Sequence, residues 1–253
     1  MSEHIEKPIE KPPPAGESWE SHRRLAEAGD FQPPVESNEQ AALTPRSEAQ
    51  EKILQAEDYQ IETESQQMLV ESGDQQLHKD YGEFIPPEQH LRDKVHFQEN
   101  AEFQKQLLER DPTTKHPDLV LGYYNPSDGQ IYINNDQPGK YRTVLHEGLH
   151  SYSVRIEQSL GERMNEGMTE YFTEQSAPFN LYESGYEQEK EIVSMLSNRV
   201  GDETLKSTYF TGDIRPLEQA VDGQLGSGAL KRIRDLVEEG KYDEARVIIQ
   251  RGI

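Results

Sequence analysis

The stretch TVLHEGLHSYS, Thr143 to Ser153, places His146 and His150 four residues apart, with Glu147 directly after the first histidine. On an α-helix, residues i and i+4 share one face about 6 Å apart along the axis, so the two imidazoles can chelate one ion. Glu147 points next to that site and is poorly placed to join the ligand sphere. It can instead hold a water and take its proton, which is the division of labour in an H-E-x-x-H motif. Val144, Leu145, Leu149 and Tyr152 make an apolar stripe by which such a helix packs, and Gly148 puts no side chain between the histidines. The plain alternative is a pair of histidines on a solvated helix face.

A catalytic zinc needs a third protein ligand and an open position. The extended pattern H-E-x-x-H-x-x-G-x-x-H would supply a third histidine, but Ser153 and Ile156 stand where it needs Gly and His. There is no cysteine, so thiolate ligands, thiolate nucleophiles and disulfides are excluded. The next cluster is NEGMTEY, Asn165 to Tyr171, on the following predicted helix. A chain reversal near Leu160-Gly161 sets the two helices antiparallel and brings Glu166 or Glu170 opposite the histidines.

VLHEGLHSYS followed by MNEGMTEYFTE resembles the gluzincin class of zinc metallopeptidases, in which H-E-x-x-H precedes a helix bearing N-E-G-x-x-E or N-E-x-x-A/D. The resemblance runs from the strand region before the motif through Thr173. It implies a zincin-like domain in which His146, His150 and Glu166 hold Zn2+ and Glu147 is the general base. Glu170, one turn beyond Glu166, then orients a histidine. The gap from His150 to Glu166 is shorter than in the large aminopeptidases of the class, whose spacing Glu170 approaches more closely; a compact single domain accommodates the shorter turn. The class also implies an edge strand that pairs with an extended peptide, and GQIYINND is the natural candidate. An oxyanion donor is commonly Tyr, His or Arg; Tyr186 is the first choice and Tyr209 the second, each with an ordinary packing role as the alternative. No G-x-M-E-N segment is present, which favours endopeptidase cleavage over N-terminal trimming.

The elements that must position these residues follow from the local pattern. DLVLGYYN and GQIYINND are β-rich runs joined by Pro126-Ser127-Asp128-Gly129, which predicts an antiparallel hairpin. Helices are predicted over about 140–157 and 162–176. Upstream, a Ser47–Gln50 capping box opens a surface helix with irregular apolar positions. A second helix is predicted across FIPPEQHLRDKVHFQENAEFQKQLLERDP, with Pro87 in its first turn and Leu91, Val95, Phe103 and Leu107 on one face. After Pro178 the chain reads as helices broken at Gly201, Gly212-Asp213, Gly226 to Gly228, and Gly240. The histidines at 4, 22, 78, 90, 96 and 116 show no ligand spacing.

Composition bounds the rest. Of 253 residues only 32% are hydrophobic while 29% are charged, which is lean for one core of that length and predicts an unfolded part. Residues 1–46 carry seven of the 15 prolines and no apolar periodicity, so they read as a disordered, Pro-rich acidic tail. The expected organisation is that tail at 1–46 and one α+β, mainly helical, zincin-like domain at 47–253. Within the domain, 47–110 is a helical N-terminal part, 118–176 holds the strands and active-site helices, and 177–253 is a helical C-terminal part. A net charge of −22 argues against nucleic-acid and membrane-surface partners. Neither a transmembrane run nor the apolar core of a secretory signal is present, so the chain is expected to be made in the cytoplasm. Export through secretion machinery that reads the tail stays open, and with it an effector or toxin role. The expected activity is zinc-dependent hydrolysis of a protein or peptide; the alternative is a non-catalytic zincin-fold binding protein whose metal is structural or absent.

Overall fold

In the computed structural model, residues 48–153, 156–177 and 185–252 are described. The expected tail at 1–46 and the capping residue Ser47 lie outside them.

Helix α1 spans Glu48–Tyr81. Its C-terminal half is not a surface helix: Val70, Leu77 and Tyr81 are buried against the central helix, while Met68 stays exposed. Apolar spacing of 7 and 4 residues repeats one helical face, a pattern that the acidic and amide residues between them mask.

The second predicted helix divides in two. Residues 82–94 form a turn-rich connection, and Val95–Gln98 becomes strand β1 rather than helix. Only Asn100–Arg110 is helical, as α2. The reason is local and tertiary together: Val95 and Phe97 are strand formers, and β1 finds a parallel partner that helix-period reasoning could not see.

Strands β2 (Gly122–Asn125) and β3 (Gln130–Asn134) form the antiparallel hairpin across the Pro126–Gly129 turn. Asp128 and Asn125 side chains accept backbone N–H groups within that turn, which is the usual work of Asx residues there. The sheet order is β1-β3-β2, so GQIYINND is the central strand and not the expected edge. The edges are β1 and β2. Alternation along β3 splits the sheet's two faces: Ile131 and Ile133 enter the main core, while Tyr132 packs with Tyr123, Phe103 and Leu107 under α2.

Helix α3 (Lys140–Tyr152) starts at the Pro138-Gly139 break and stops at Ser153, whose extended ψ of 148° ends it five residues before the predicted limit of about 157. It is the most enclosed element, packed by α1, β2, β3 and α5. The short α4 (Glu157–Leu160) and Gly161 at φ 89° make the reversal into α5 (Glu162–Ser176). Helices α6 (Glu187–Val200), α7 (Asp202–Thr211), α8 (Arg215–Leu225), α9 (Ala229–Glu238) and α10 (Tyr242–Arg251) follow, with breaks at the expected glycines. Apolar rows such as Leu230, Ile233 and Val237 of α9 bury these helices behind α5. The described residues are thus mainly helical with one small mixed sheet, and no described helix is long and apolar enough to cross a membrane.

Candidate metal centre

Helix α3 carries Arg142, His146 and His150 one turn apart, and α5 packs across them. His146 and His150 set their rings 5.0 Å apart at 70°. The Nε2 of His146 is 3.3 Å from Glu166 Oε2, and the Nε2 of His150 is 3.4 Å from Glu166 Oε1. One carboxylate therefore bridges two imidazole nitrogens in a buried space. Burial opposes the charge on Glu166, but His150 and His146 outweigh it and hold its carboxyl far below the usual range. These three side chains, all within 4.8 Å of one another through one ligand atom each, could hold a metal ion.

The other ring nitrogens are tied to α5 as well. His146 Nδ1 stands 3.3 Å from Glu170 Oε2, and the second oxygen of Glu170 is paired with the Arg142 guanidinium. Glu170 is 1% exposed, so this pairing is what makes its burial tolerable. His150 Nδ1 lies 3.4 Å from the Thr169 hydroxyl. That hydroxyl donates its one proton to the Asn165 carbonyl at 3.0 Å, and its lone pairs face the Nδ1–H of His150 and the hydroxyl of Tyr209 at 2.8 Å. With an ion held there, these partners would keep the protons on both Nδ1 atoms and leave both Nε2 lone pairs for the cation. This is how neutral imidazoles are oriented for a cation, with the tautomer set by the partner behind.

Compared with protein-family models, curated proteins and solved structures, the chain matches none. What the centre can do is read from its own atoms.

Glu147 sits on the sheet side of α3 and is buried, with 7% exposure. Desolvation raises its proton affinity, opposed by His146 and His150; the backbone N–H of Tyr124 also stabilises its carboxylate. The β2–β3 register explains that donor. Asn134 N–H bonds Leu121 C=O, so residues 121, 123 and 125 face β3, and the N–H groups of Gly122 and Tyr124 face the open edge above α3. Gly122 is required at this approach: a Cβ there would meet Thr143 Cγ2 at 2.6 Å and Tyr132 O at 3.0 Å.

Gly148 has a different reason from the one its place between the histidines suggests. A Cβ on it would meet Leu91 and Leu77 side chains at 2.8 and 2.9 Å, so it admits close packing behind the helix. Tyr186 comes to the site: its ring lies 6.1 Å from that of His146, nearly parallel at 10°. Desolvation and the charges of Glu166 and Glu147 push its hydroxyl well above the ordinary phenol value, so it stays a proton donor. Tyr209, the second choice, is fully buried, with its hydroxyl 2.8 Å from that of Thr169.

His146, Glu147, His150, Glu166 and Tyr186 are therefore brought together, with Glu170 on the outer nitrogen of His146. Motif spacing did not single out Arg142 or Thr169. Their signal was available: Arg142 precedes His146 by one turn, and Thr169 follows Glu166 by three residues on the same helix face.

Proposed function

We propose that this chain is a zinc metallopeptidase of the gluzincin kind, cleaving peptide bonds within a protein or peptide. The observation that carries the proposal is the convergence of His146 Nε2, His150 Nε2 and the Glu166 carboxylate beside a separate, buried carboxylate, Glu147. A two-imidazole, one-carboxylate donor set suits zinc. When bound there, zinc would supply Lewis acidity toward a carbonyl and toward a water.

The remaining work falls to the chain's own residues. Glu147 takes a proton from the attacking water and returns it to the leaving amine. Its raised proton affinity brings it closer to neutrality, where a base and an acid of one step are both efficient. Tyr124 N–H fixes the carboxylate while it does so. Tyr186 offers its hydroxyl to the developing oxyanion from beside the His146 ring. The outward edge of β2, not β3, is the strand beside Glu147, so an extended substrate would pair with β2 through the Gly122 N–H and the outward carbonyls of Gly122 and Tyr124, the Tyr124 N–H being held by Glu147.

An exported effector role extends the same proposal: deleting residues 1–46 would then abolish export and leave hydrolysis unchanged. The central test is Glu147→Gln, assayed for zinc content and for cleavage of a peptide library by mass spectrometry. The expected result is full zinc content and at least about a hundredfold loss of turnover, the scale of general-base catalysis. Turnover equal to wild type would refute the assigned role. Zinc-dependent stability with no turnover in wild type would favour a binding protein of the same fold.

A further inference from the structure

A second group of nitrogen and oxygen donors lies on the α1 side of α3, beside Tyr152, formed by histidines that spacing left without a role. Asp74 and His78 are i and i+4 on α1, and His90 comes from the 82–94 connection. His90 Nδ1 is 2.9 Å from Asp74 Oδ2, and His78 Nε2 is 3.7 Å from Asp74 Oδ1. The two rings stand 5.3 Å apart at 47°, close to the 5.0 Å of the His146–His150 pair. One ligand atom from each of Asp74, His78 and His90 falls within 4.8 Å of the others, as in the first centre.

The carboxylate is built rather than incidental. Asp74 is 9% exposed, with Oδ1 accepting the Tyr152 hydroxyl and, at 3.3 Å, the backbone N–H of Leu91. Hydrogen bonds from behind that fix a carboxylate are the usual support of a metal-ligating one. The carbonyl of Gln89 lies 2.8 Å from His78 Nε2 and adds a fourth donor group. Lys94 is held aside: its ammonium lies over the Tyr152 ring, 5.4 Å from the centroid, and donates to Ser151 at 3.1 Å. The side chain of His90 is 57% exposed, which gives an ion a way in.

We propose that Asp74, His78 and His90 form a second site for a divalent transition metal of the zinc class, structural in role. To bind, His90 would present Nδ1 and His78 Nε2, with the remaining proton of each ring on its other nitrogen. Two imidazoles and one carboxylate favour zinc, cobalt or nickel over magnesium or calcium. The ion would tie three parts that are otherwise joined by few backbone bonds: α1, the 82–94 connection and, through Tyr152, the end of α3. A connection of that length without secondary structure is uncommon unless something holds it.

The full chain, stripped of metal, reloaded with excess zinc and dialysed, should contain two zinc ions by elemental analysis. His90→Gln and His78→Gln should each lower the count to one, and His146→Gln/His150→Gln should also leave one. That last variant reads the second site whether or not the first is catalytic. In it, zinc at a hundredfold excess over Kd should raise the thermal midpoint by about 5–10 °C, and adding His90→Gln should cancel the rise. A wild-type count of one that His90→Gln and His78→Gln leave unchanged overturns the second site. So does a double variant that holds no zinc and shows no thermal shift. His96→Gln must retain both ions, because a loss there would mark unspecific surface binding and overturn the proposal as well.

Discussion

The Arg142–Glu170 pair allows stability and metal orientation to be separated. Glu170 is 1% exposed and Arg142 14%, and the carboxylate they share points its other oxygen at His146 Nδ1. Arg142→Met keeps the length of the side chain and removes the charge, leaving a buried carboxylate without its cation. Breaking one side of a buried pair costs about 3–5 kcal/mol. Arg142 keeps some contact with solvent, so the lower end, ~3 kcal/mol, is expected. For a folded unit of about 200 residues that lowers the midpoint by roughly 6–12 °C. The double variant Arg142→Met/Glu170→Gln removes both charges and should return to within ~1 kcal/mol of wild type, since replaced buried pairs are often neutral. Its amide is a weaker acceptor for His146 Nδ1–H, so metal affinity should still fall by about tenfold or more. Urea unfolding in chelator measures the first quantity, and competition with a chromophoric chelator measures the second. A single variant no less stable than the double one would falsify the account of Glu170 as a buried anion held by Arg142.

Thr169→Val keeps the shape but removes the hydroxyl shared by His150, Tyr209 and the Asn165 carbonyl; it should cost about 1–3 kcal/mol and about 10–100-fold in metal affinity. Tyr209→Phe leaves the Thr169 hydroxyl in place, and chelator competition should find its affinity much nearer wild type; equal losses in both would place the control of His150 elsewhere. Gly167→Ala would bring a Cβ within 2.8 Å of the Glu189 backbone and push α5 away from α6; a loss of about 1–3 kcal/mol with weakened metal binding is expected, and unchanged binding would show that α5 need not sit so close. Burial raises the Asp202 carboxyl, but hydroxyls of Ser197 and Tyr171 outweigh it and depress the folded value below 3.8. A depressed carboxylate adds stability above its unfolded pKa and loses it as pH falls through the folded one. Asp202→Asn should therefore flatten the decline in unfolding free energy below about pH 4, and an unaltered acid slope would remove Asp202 from that role.

The centre was legible because its spacing is helical on both sides. His146 and His150 at i, i+4 and Glu166 and Glu170 at i, i+4 need no knowledge of the rest of the chain, only a reversal between the helices. The hairpin was legible through Asp128-Gly129 and alternating Ile131, Tyr132 and Ile133. The sheet order was not. Val95–Gln98 is too short to declare itself, and its parallel pairing with β3 depends on a partner more than thirty residues away. That pairing moved the open edge from β3 to β2. The proximity of His78 and His90 was hidden for a similar reason: eleven residues separate them, three of them still in α1, and His90 meets Asp74 only when the 82–94 connection folds back on that helix. Gly148 was visible but misattributed, since its empty side faces Leu77 and Leu91 and not the space between the histidines.

The pattern NEGMTEY brings more than one side chain to the histidines. Glu166, Thr169 and Glu170 occupy positions i, i+3 and i+4, one face of α5, and each touches the histidines of α3 at a different nitrogen. One helix thus supplies a carboxylate to both Nε2 atoms and a separate partner to each Nδ1. Because the three side chains are rigidly spaced, α5 cannot lose one contact by sliding without losing the others: a slip of one residue turns the face by about 100°. The small residue Gly167 lies next to Glu166 and lets α6 back α5 at close range, which fixes that rotation. The orientation of the histidines is therefore set by helix packing behind α5 as much as by the motif on α3, and substitutions at the α5–α6 contact should act on the centre as one unit rather than ligand by ligand.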